Sequence, residues 1–118
     1  MIKAVAGRVV VCRVGDERFV LPVAAVREVV ASPPVTRLPE APPLVRGLAN
    51  VHGTLVTAIS GPRLLALEVP ESGDWLVVLA LHGGRVGIQV DEVEDVVESD
   101  EWHVLDVDHL IAPLIAES

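Results

Sequence analysis

Four histidines and seventeen carboxylates are the residues of this chain that could bind a metal ion or perform acid–base chemistry. They are densest in residues 100–109, DEWHVLDVDH, where a metal-binding or hydrolytic site would use His103, Asp106, Asp108 and His109. If this segment is a strand, His103 lies on one face, while Asp106 and Asp108 lie on the other. No recognisable zinc-type pairing of His or Cys accompanies them. We therefore predict a solvated acidic face and no metal site.

Nucleophilic catalysis is not indicated by any serine or cysteine. No serine lies in a Gly-x-Ser-x-Gly elbow, and neither a glycine-rich phosphate loop nor a dinucleotide fingerprint occurs. The single cysteine, Cys12, is flanked by apolar residues and fits a small buried strand residue better than a nucleophile. A lone cysteine forms no internal disulfide, which agrees with a reducing compartment. The sequence thus predicts a protein that is not an enzyme and has no cofactor.

The net charge of −8 is distributed unevenly along the 118 residues. Residues 1–59 carry seven bases and four acids, whereas residues 60–118 carry two bases and thirteen acids. Nucleic acids and anionic membranes both require a concentrated basic face, so neither is predicted as a partner. A polarised module that docks onto other proteins is compatible with this distribution.

The length allows one domain, and the composition favours strands within it. Apolar residues make up 51% of the chain but aromatic residues only 3%, so the interior must be built from Val, Leu, Ile and Ala. The longest apolar run, residues 75–81, is far shorter than the ~20 residues of a membrane-spanning helix. Charge interrupts the N-terminus before any secretion-type apolar region develops. We expect a cytoplasmic protein without membrane insertion.

Short β-branched runs separated by turn residues predict a series of strands. We expect strands over residues 7–14, 18–23, 54–59, 75–81 and 86–90. The run 75–81 is apolar at successive positions, so it is the candidate for the centre of the core. The glycines of His82-Gly83-Gly84-Arg85 predict a two-residue hairpin turn. Residues 24–30 fit one helical turn or a bulged strand equally well.

Five prolines interrupt residues 31–43, which predicts an extended segment along the surface. Val35, Leu38 and Leu44 are spaced to pack onto the domain, which disfavours a free proline-rich ligand. Residues 47–53, GLANVHG, have the small and turn-forming composition of a tight backbone turn.

The acidic segment after Val90 changes its apolar spacing from two to three, which predicts a β-bulge with the carboxylates facing water. Residues 98–103 then look like a connection. Residues 104–107 are predicted to form a separate last strand.

The chain from Phe19 to Val97 resembles the CheW-like domain. Four matches carry the resemblance in the order the family has them. They are residues 14–23 with 26–30 (VGDERFVLPV and VREVV), 35–47 (VTRLPEAPPLVRG), 50–53 (NVHG, like the family's N-L-R-G) and 84–97 (GRVGIQVDEVEDVV).

This resemblance implies an all-β fold of two small SH3-like five-stranded barrels, with residues 1–118 forming a single domain of two intertwined β subdomains. It also implies a non-enzymatic adaptor in bacterial chemosensory signal transduction. Its partners would be a chemoreceptor cytoplasmic tip and the regulatory domain of a CheA-type histidine kinase.

One departure from the family lies in the N-L-R-G motif, where His52 replaces the usual arginine. In the family that arginine commonly pairs with the glutamate matched here by Glu28, so we predict that Glu28 and His52 lie within side-chain reach. An imidazole there is charged only in part near neutral pH. The residues we expect to bind partners are Val26, Arg27, Glu28, Val30, Asn50, His52 and Gly53.

A second departure is the short segment between Val97 and the expected last strand, where the family usually has some tens of residues more. The resemblance therefore implies an abbreviated second barrel. Its open edge must be paired with another chain or guarded by charge, so we expect either a homo-oligomer or an acidic edge. Two alternatives to the adaptor remain: the metal-binding or hydrolytic β protein considered above, and a self-assembling barrel of this type that has lost an array partner.

Overall fold

The computed structural model describes residues 2–71 and 73–105. Across these residues the chain forms nine strands, one short α-helix and two 3₁₀ turns. The strands are β1 Ile2–Val14, β2 Glu17–Pro22, β3 Val26–Ala31, β4 Val35–Thr36, β5 Val45–Val51, β6 Thr54–Ser60, β7 Trp75–Leu79, β8 Val86–Val90 and β9 Glu92–Leu105. The helix α1 is Gly61–Leu64, and the 3₁₀ turns are Val23–Ala25 and Leu81–Gly84. The predicted all-β class is confirmed.

The smaller sheet has three antiparallel strands in the order β2-β1-β9. β1 and β2 form the predicted hairpin, in which Val14 pairs with Glu17 across the turn Gly15-Asp16. Gly15 has a φ of +60°, and its N–H donates to Asp91 Oδ2 at 2.7 Å. This hydrogen bond fixes the hairpin turn to the residue that precedes β9.

The larger sheet has six strands in the order β3-β7-β8-β6-β5-β4. β6 and β8 are parallel and all other neighbours are antiparallel. Its two edge strands, β3 and β4, are joined by residues 32–34 alone, a connection that spans at most ~14 Å. The edges therefore lie close together, and the sheet must curl toward a barrel. The two-residue β4 adds a sixth strand to the five expected.

The core consists mainly of two apolar clusters on the two faces of the larger sheet. Val77 and Leu79 of β7 belong to the cluster shared with β1 and β2, whereas Leu76 and Val78 belong to the cluster shared with β5 and β6. All four side chains are at most 1% exposed. The prediction that this strand is apolar on both faces and central to the core is confirmed.

The segment from Val23 to Ala31 combines both alternatives that the sequence left open. Val23–Ala25 forms a 3₁₀ turn, and β3 follows with a register shift between Val26 and Glu28. β7 and β8 pair antiparallel, as predicted, but the prediction that a two-residue turn joins them is wrong. A longer 3₁₀ turn, Leu81–Gly84, replaces it, since Gly83 and Gly84 both adopt positive φ and extend the reversal.

The chain turns directly after β6, where helix α1 begins. The Ser60 side chain accepts a hydrogen bond from the Arg63 N–H at 3.0 Å, and Pro62 lies in the first helical turn. A serine cap followed by proline is a common helix start. The serine oxygen accepts a hydrogen bond from an N–H group of the first turn, and proline has no N–H group that would need a partner. Ser60 is fully buried, so this cap is part of the packed interior.

The prediction of a separate last strand from Val104 is wrong. β9 continues without interruption from Glu92 to Leu105 because β1 begins as early as Ile2 and pairs with its distal half. The predicted bulge is confirmed, since Val11 pairs with Asp95 and Cys12 with Val93, which leaves one extra residue in β9. Residues 106 and 107 lie outside the described part of the chain.

Glu92, Glu94 and Asp95 of β9 are exposed, as predicted, and so is Glu98. β9 is an edge strand of the smaller sheet in the part of the chain that the structure describes. These four carboxylates make this described edge acidic, which is one of the two alternatives expected for an open edge. The hydrogen bond and charge of Arg18 hold the pKa of Glu94 below its usual range. Within the described residues no helix has the length and apolar character needed to cross a membrane.

Candidate functional site

The turn between β5 and β6 places His52 in an unusual backbone conformation. His52 and Gly53 have φ values of +51° and +86°, the geometry of a two-residue type I′ hairpin turn. The Gly53 N–H donates to Asn50 Oδ1 at 2.8 Å, which closes the turn. Histidine is among the few non-glycine residues that adopt this region readily. The turn therefore presents the imidazole to solvent, with 74% of its side chain exposed.

Glu28 lies within reach of this imidazole, which confirms the predicted proximity. The distance from His52 Nε2 to Glu28 Oε1 is 3.3 Å, and the two residues lie on the turn after β5 and on β3. The contact links the turn to an edge strand that is not its neighbour in the sheet. Such an exposed pair contributes little to stability. Its relevance lies in the polar atoms that it presents at the surface.

Arg27 borders the same surface from the preceding position on β3. Its Nη1 donates to the Gly83 carbonyl oxygen at 3.2 Å. A Cβ at Gly84 would lie 2.6 Å from Arg27 Nη1, so any larger residue there would displace the guanidinium from this position. The Gly-Gly pair thus positions the guanidinium as well as reversing the chain.

Arg27, Glu28 and His52 together line a groove of about 270 Å³. We call this groove the His52 groove. Sequence reasoning missed its remaining lining residues, which are Val51, Thr54, Val56, Val78, Gly83 and Gly84. Strand alternation could have identified some of them, because Val51 pairs with Thr54 across the hairpin and their side chains share one face. The groove has a charged rim and an apolar floor.

The other expected partner-binding residues contribute in different ways. Asn50 and Gly53 form the turn that holds His52. Val26 and Val30 are half-buried and pack against the two core clusters. These four residues shape the surroundings of the His52 groove without lining it.

The described residues contain neither a cluster of metal ligands nor a reactive thiol. No group of three or more His, Cys, Asp or Glu residues there could hold a metal ion. Of the candidate ligands, Asp106, Asp108 and His109 lie outside the described residues, and His103 belongs to β9. Burial raises the pKa of the Cys12 thiol to about 12, which leaves it protonated and unreactive at neutral pH.

Comparison with known proteins identifies the family. The family model described as "CheW-like domain" matches residues 8–114. The chain is 31% identical over 86 residues to the chemotaxis protein CheW of Rhizobium meliloti and 28% identical over 86 residues to the probable chemotaxis protein CheW of Rhizobium etli. Each match covers 71% of this chain and 56% of the relative, so the chain spans little more than half the length of these curated relatives.

A solved structure shows the same fold. The scaffolding protein CheW from Thermoanaerobacter tengcongensis superposes with a TM-score of 0.73 at 23% sequence identity. The superposition covers 81% of this chain and 67% of that protein. Because the family model also covers most of the sequence, this chain belongs to the CheW-like domain family.

Proposed function

We propose that this chain is a non-enzymatic adaptor of bacterial chemosensory signalling that acts in the cytoplasm. In this role it couples the cytoplasmic tip of a methyl-accepting chemoreceptor to the regulatory domain of a CheA-type histidine kinase. Membership of the CheW-like domain family and the names of the curated relatives support the proposal.

The observation that carries the proposal is the contact between Glu28 and His52 at 3.3 Å. It occurs at the position where the family commonly pairs glutamate with arginine. In this chain an imidazole stands where the resemblance places the guanidinium, and it still contacts Glu28.

The shape of the His52 groove also favours a macromolecular partner. Its volume of about 270 Å³ is smaller than most small-molecule pockets, which have volumes of about 300 to 1,000 Å³. Val51, Val56 and Val78 form an apolar floor and are at most 6% exposed. Arg27 at the rim is of the residue type enriched at interface hot spots. A helix of a receptor tip could place an apolar side chain on this floor and polar side chains on the rim.

Direct binding measurements test this proposal. The purified chain is titrated calorimetrically with a receptor-tip fragment and, separately, with the kinase regulatory domain. His52→Glu places a second negative charge beside Glu28, and we expect it to weaken binding of at least one partner by about tenfold or more. Thr36→Glu is the matched control, because Thr36 is exposed on β4 and lies outside the His52 groove.

Three outcomes would contradict the proposal. Wild-type protein that binds neither partner would remove the adaptor function. Equal effects of His52→Glu and Thr36→Glu would remove the His52 groove from the interface. Concentration-dependent self-association in sedimentation, without binding to either partner, would instead favour a self-assembling barrel.

A further inference from the structure

A second groove lies at the opposite end of the β5–β6 hairpin. It has a volume of about 600 Å³ and is lined by Arg37, Arg46 and Arg63, by the prolines of the 39–43 segment, and by the carboxylates Glu40 and Glu71. We call it the arginine groove. β5 and β6 are seven residues long, so roughly 20 Å separates it from the His52 groove. The adaptor function proposed above does not use this site.

The three arginines have far more hydrogen-bond donors than the described residues of the chain use. Each guanidinium carries about five N–H donors. Among the described residues, Arg46 Nη1 donates to Gln89 Oε1 at 2.9 Å, and neither Arg37 nor Arg63 donates a side-chain hydrogen bond. Arg63 Nε lies 3.8 Å from Glu71 Oε2 and its side chain is 59% exposed. Much of the donor capacity therefore faces the groove and its solvent.

Glu71 shows that a carboxylate fits between these groups. Its Oε1 accepts a hydrogen bond from the buried Ser60 hydroxyl at 2.8 Å and lies 3.6 Å from Arg46 Nη1. The Ser60 cap and the Arg46–Gln89 hydrogen bond hold this arrangement from within the fold. The floor of the arginine groove is thus built around one carboxylate of the chain itself, while Arg37 forms no ion pair with any described residue.

The wall of the groove is stiff and partly apolar. Pro39, Pro42 and Pro43 restrict the backbone, and the Val45 N–H donates to the Pro42 carbonyl oxygen at 2.9 Å. Leu38 is 39% exposed, which differs from our expectation that it packs onto the domain. A preorganised wall lowers the entropic cost of binding an extended chain.

We propose that the arginine groove binds an acidic segment of a partner protein in an extended conformation. Carboxylates of the segment pair with Arg37 and Arg63, where bidentate hydrogen bonds to guanidinium groups are available. An apolar side chain of the segment contacts Leu38. Charge complementarity favours this occupant, because three arginines outnumber the two lining carboxylates, Glu40 and Glu71, in a chain whose net charge is −8. Of these carboxylates, Glu71 already accepts hydrogen bonds from Ser60.

Fluorescence anisotropy with a labelled peptide of glutamates and leucines tests the proposal in a low-salt buffer. We expect the wild-type chain to bind this peptide. We expect no measurable binding of the same peptide with glutamine in place of glutamate. Arg37→Glu and Arg63→Glu should each weaken binding by about tenfold. Arg85→Glu is the matched control, since it makes the same change of net charge at an exposed arginine outside the groove.

Glu71→Gln gives a prediction of opposite sign. The amide oxygen can still accept the Ser60 hydroxyl hydrogen bond, but the competing negative charge is removed. We therefore expect tighter peptide binding, which a purely structural role of the arginines would not produce.

Equal losses in Arg37→Glu and Arg85→Glu would overturn the proposal, because they would show a non-specific charge effect. Equal binding of the glutamine peptide would do the same. Salt-sensitive self-association that Arg37→Glu abolishes would overturn it in favour of a second copy of this chain as the occupant.

Discussion

The two ends of the β5–β6 hairpin use charged residues in different ways. At the His52 groove, the contact between Glu28 and His52 is exposed and rests on a two-residue turn. At the arginine groove, Ser60 is fully buried and Gln89 is 7% exposed, and both bond to the charged groups at the surface. At the first end, Glu28 and His52 contact each other at the surface. At the second end, charged residues are hydrogen-bonded to polar side chains that are buried in the core.

This difference separates binding from stability. Substitutions at the His52 groove should change partner affinity while leaving unfolding nearly unchanged, since exposed ion pairs contribute little. Substitutions in the polar network of the arginine groove should change both, because buried polar groups are costly to leave unpaired. The comparison fails if the two ends respond alike.

The largest contrast is expected from replacing a glycine near each end by alanine. A Cβ at Gly47 would lie 2.1 Å from the Thr36 carbonyl oxygen, and its φ is +150°, whereas nothing lies within 4 Å of a Cβ at Gly53. Gly47→Ala should lower the free energy of unfolding by at least about 2 kcal/mol through backbone overlap. Gly53→Ala retains only the strain of a positive φ, about 1 kcal/mol. Urea unfolding measures both.

If Gly53→Ala lowers the free energy of unfolding as much as Gly47→Ala does, the backbone of the His52 turn is more tightly constrained than the open space around Gly53 indicates. A changed m-value in either variant would show that the unfolded or native ensemble, rather than the local contact, has altered.

A smaller contrast is expected from two hydroxyl groups of β6. Ser60→Ala removes the cap of α1 and a donor to Glu71, which should cost about 1 to 2 kcal/mol. Thr54→Ala changes an exposed residue beside His52 and should cost less than about 0.5 kcal/mol. Thermal unfolding of both variants checks this ranking, and equal shifts of Tm would contradict it.

The charged rim of the His52 groove was predictable from the sequence, whereas its apolar floor and the arginine groove were not. The proximity of Glu28 and His52 was predicted because the resemblance to the family aligns these two residues with a glutamate and an arginine that commonly pair. The arginine groove combines Arg37, Arg46, Arg63 and Glu71 from four separate segments. Their meeting depends on strand order and on the path of the proline segment, which no local pattern encodes.

The same reason explains the error in β9. Residues 98–105 carry few local strand signals, and their partner is the distal N-terminal half of β1. Strand formation there follows from long-range pairing, which overrides local propensity. By contrast, β7 could be predicted because its uninterrupted apolar run already marks a strand buried on both faces.

His52→Arg tests whether a cationic side chain beside Glu28 suits the partner. A guanidinium can pair with the Glu28 carboxylate and still offer donors to a partner, so we expect the variant to bind the receptor-tip fragment at least as tightly as wild type. Calorimetric titration of both proteins measures this difference. A loss of affinity comparable to that of His52→Glu would show that the site requires the imidazole itself.

The smallest effect is expected at the acidic edge, away from both grooves. The hydrogen bond and charge of Arg18 lower the pKa of Glu94 in the folded chain. A lowered pKa stabilises the fold above the ordinary pKa of a glutamate, about 4.3, and the contribution is lost as the pH falls through the folded-state value. Arg18→Ala should therefore be slightly less stable than wild type at neutral pH and match it in acid.

Urea unfolding of both proteins near pH 7 and below pH 4 measures this convergence, with the exposed Arg85→Ala as control. Peptide binding at the arginine groove should be the same in Arg18→Ala and in wild type, because β9 and that groove share no lining residue. If the stability difference persisted in acid, the effect of Arg18 would come from packing of its aliphatic stem and not from its pairing with Glu94.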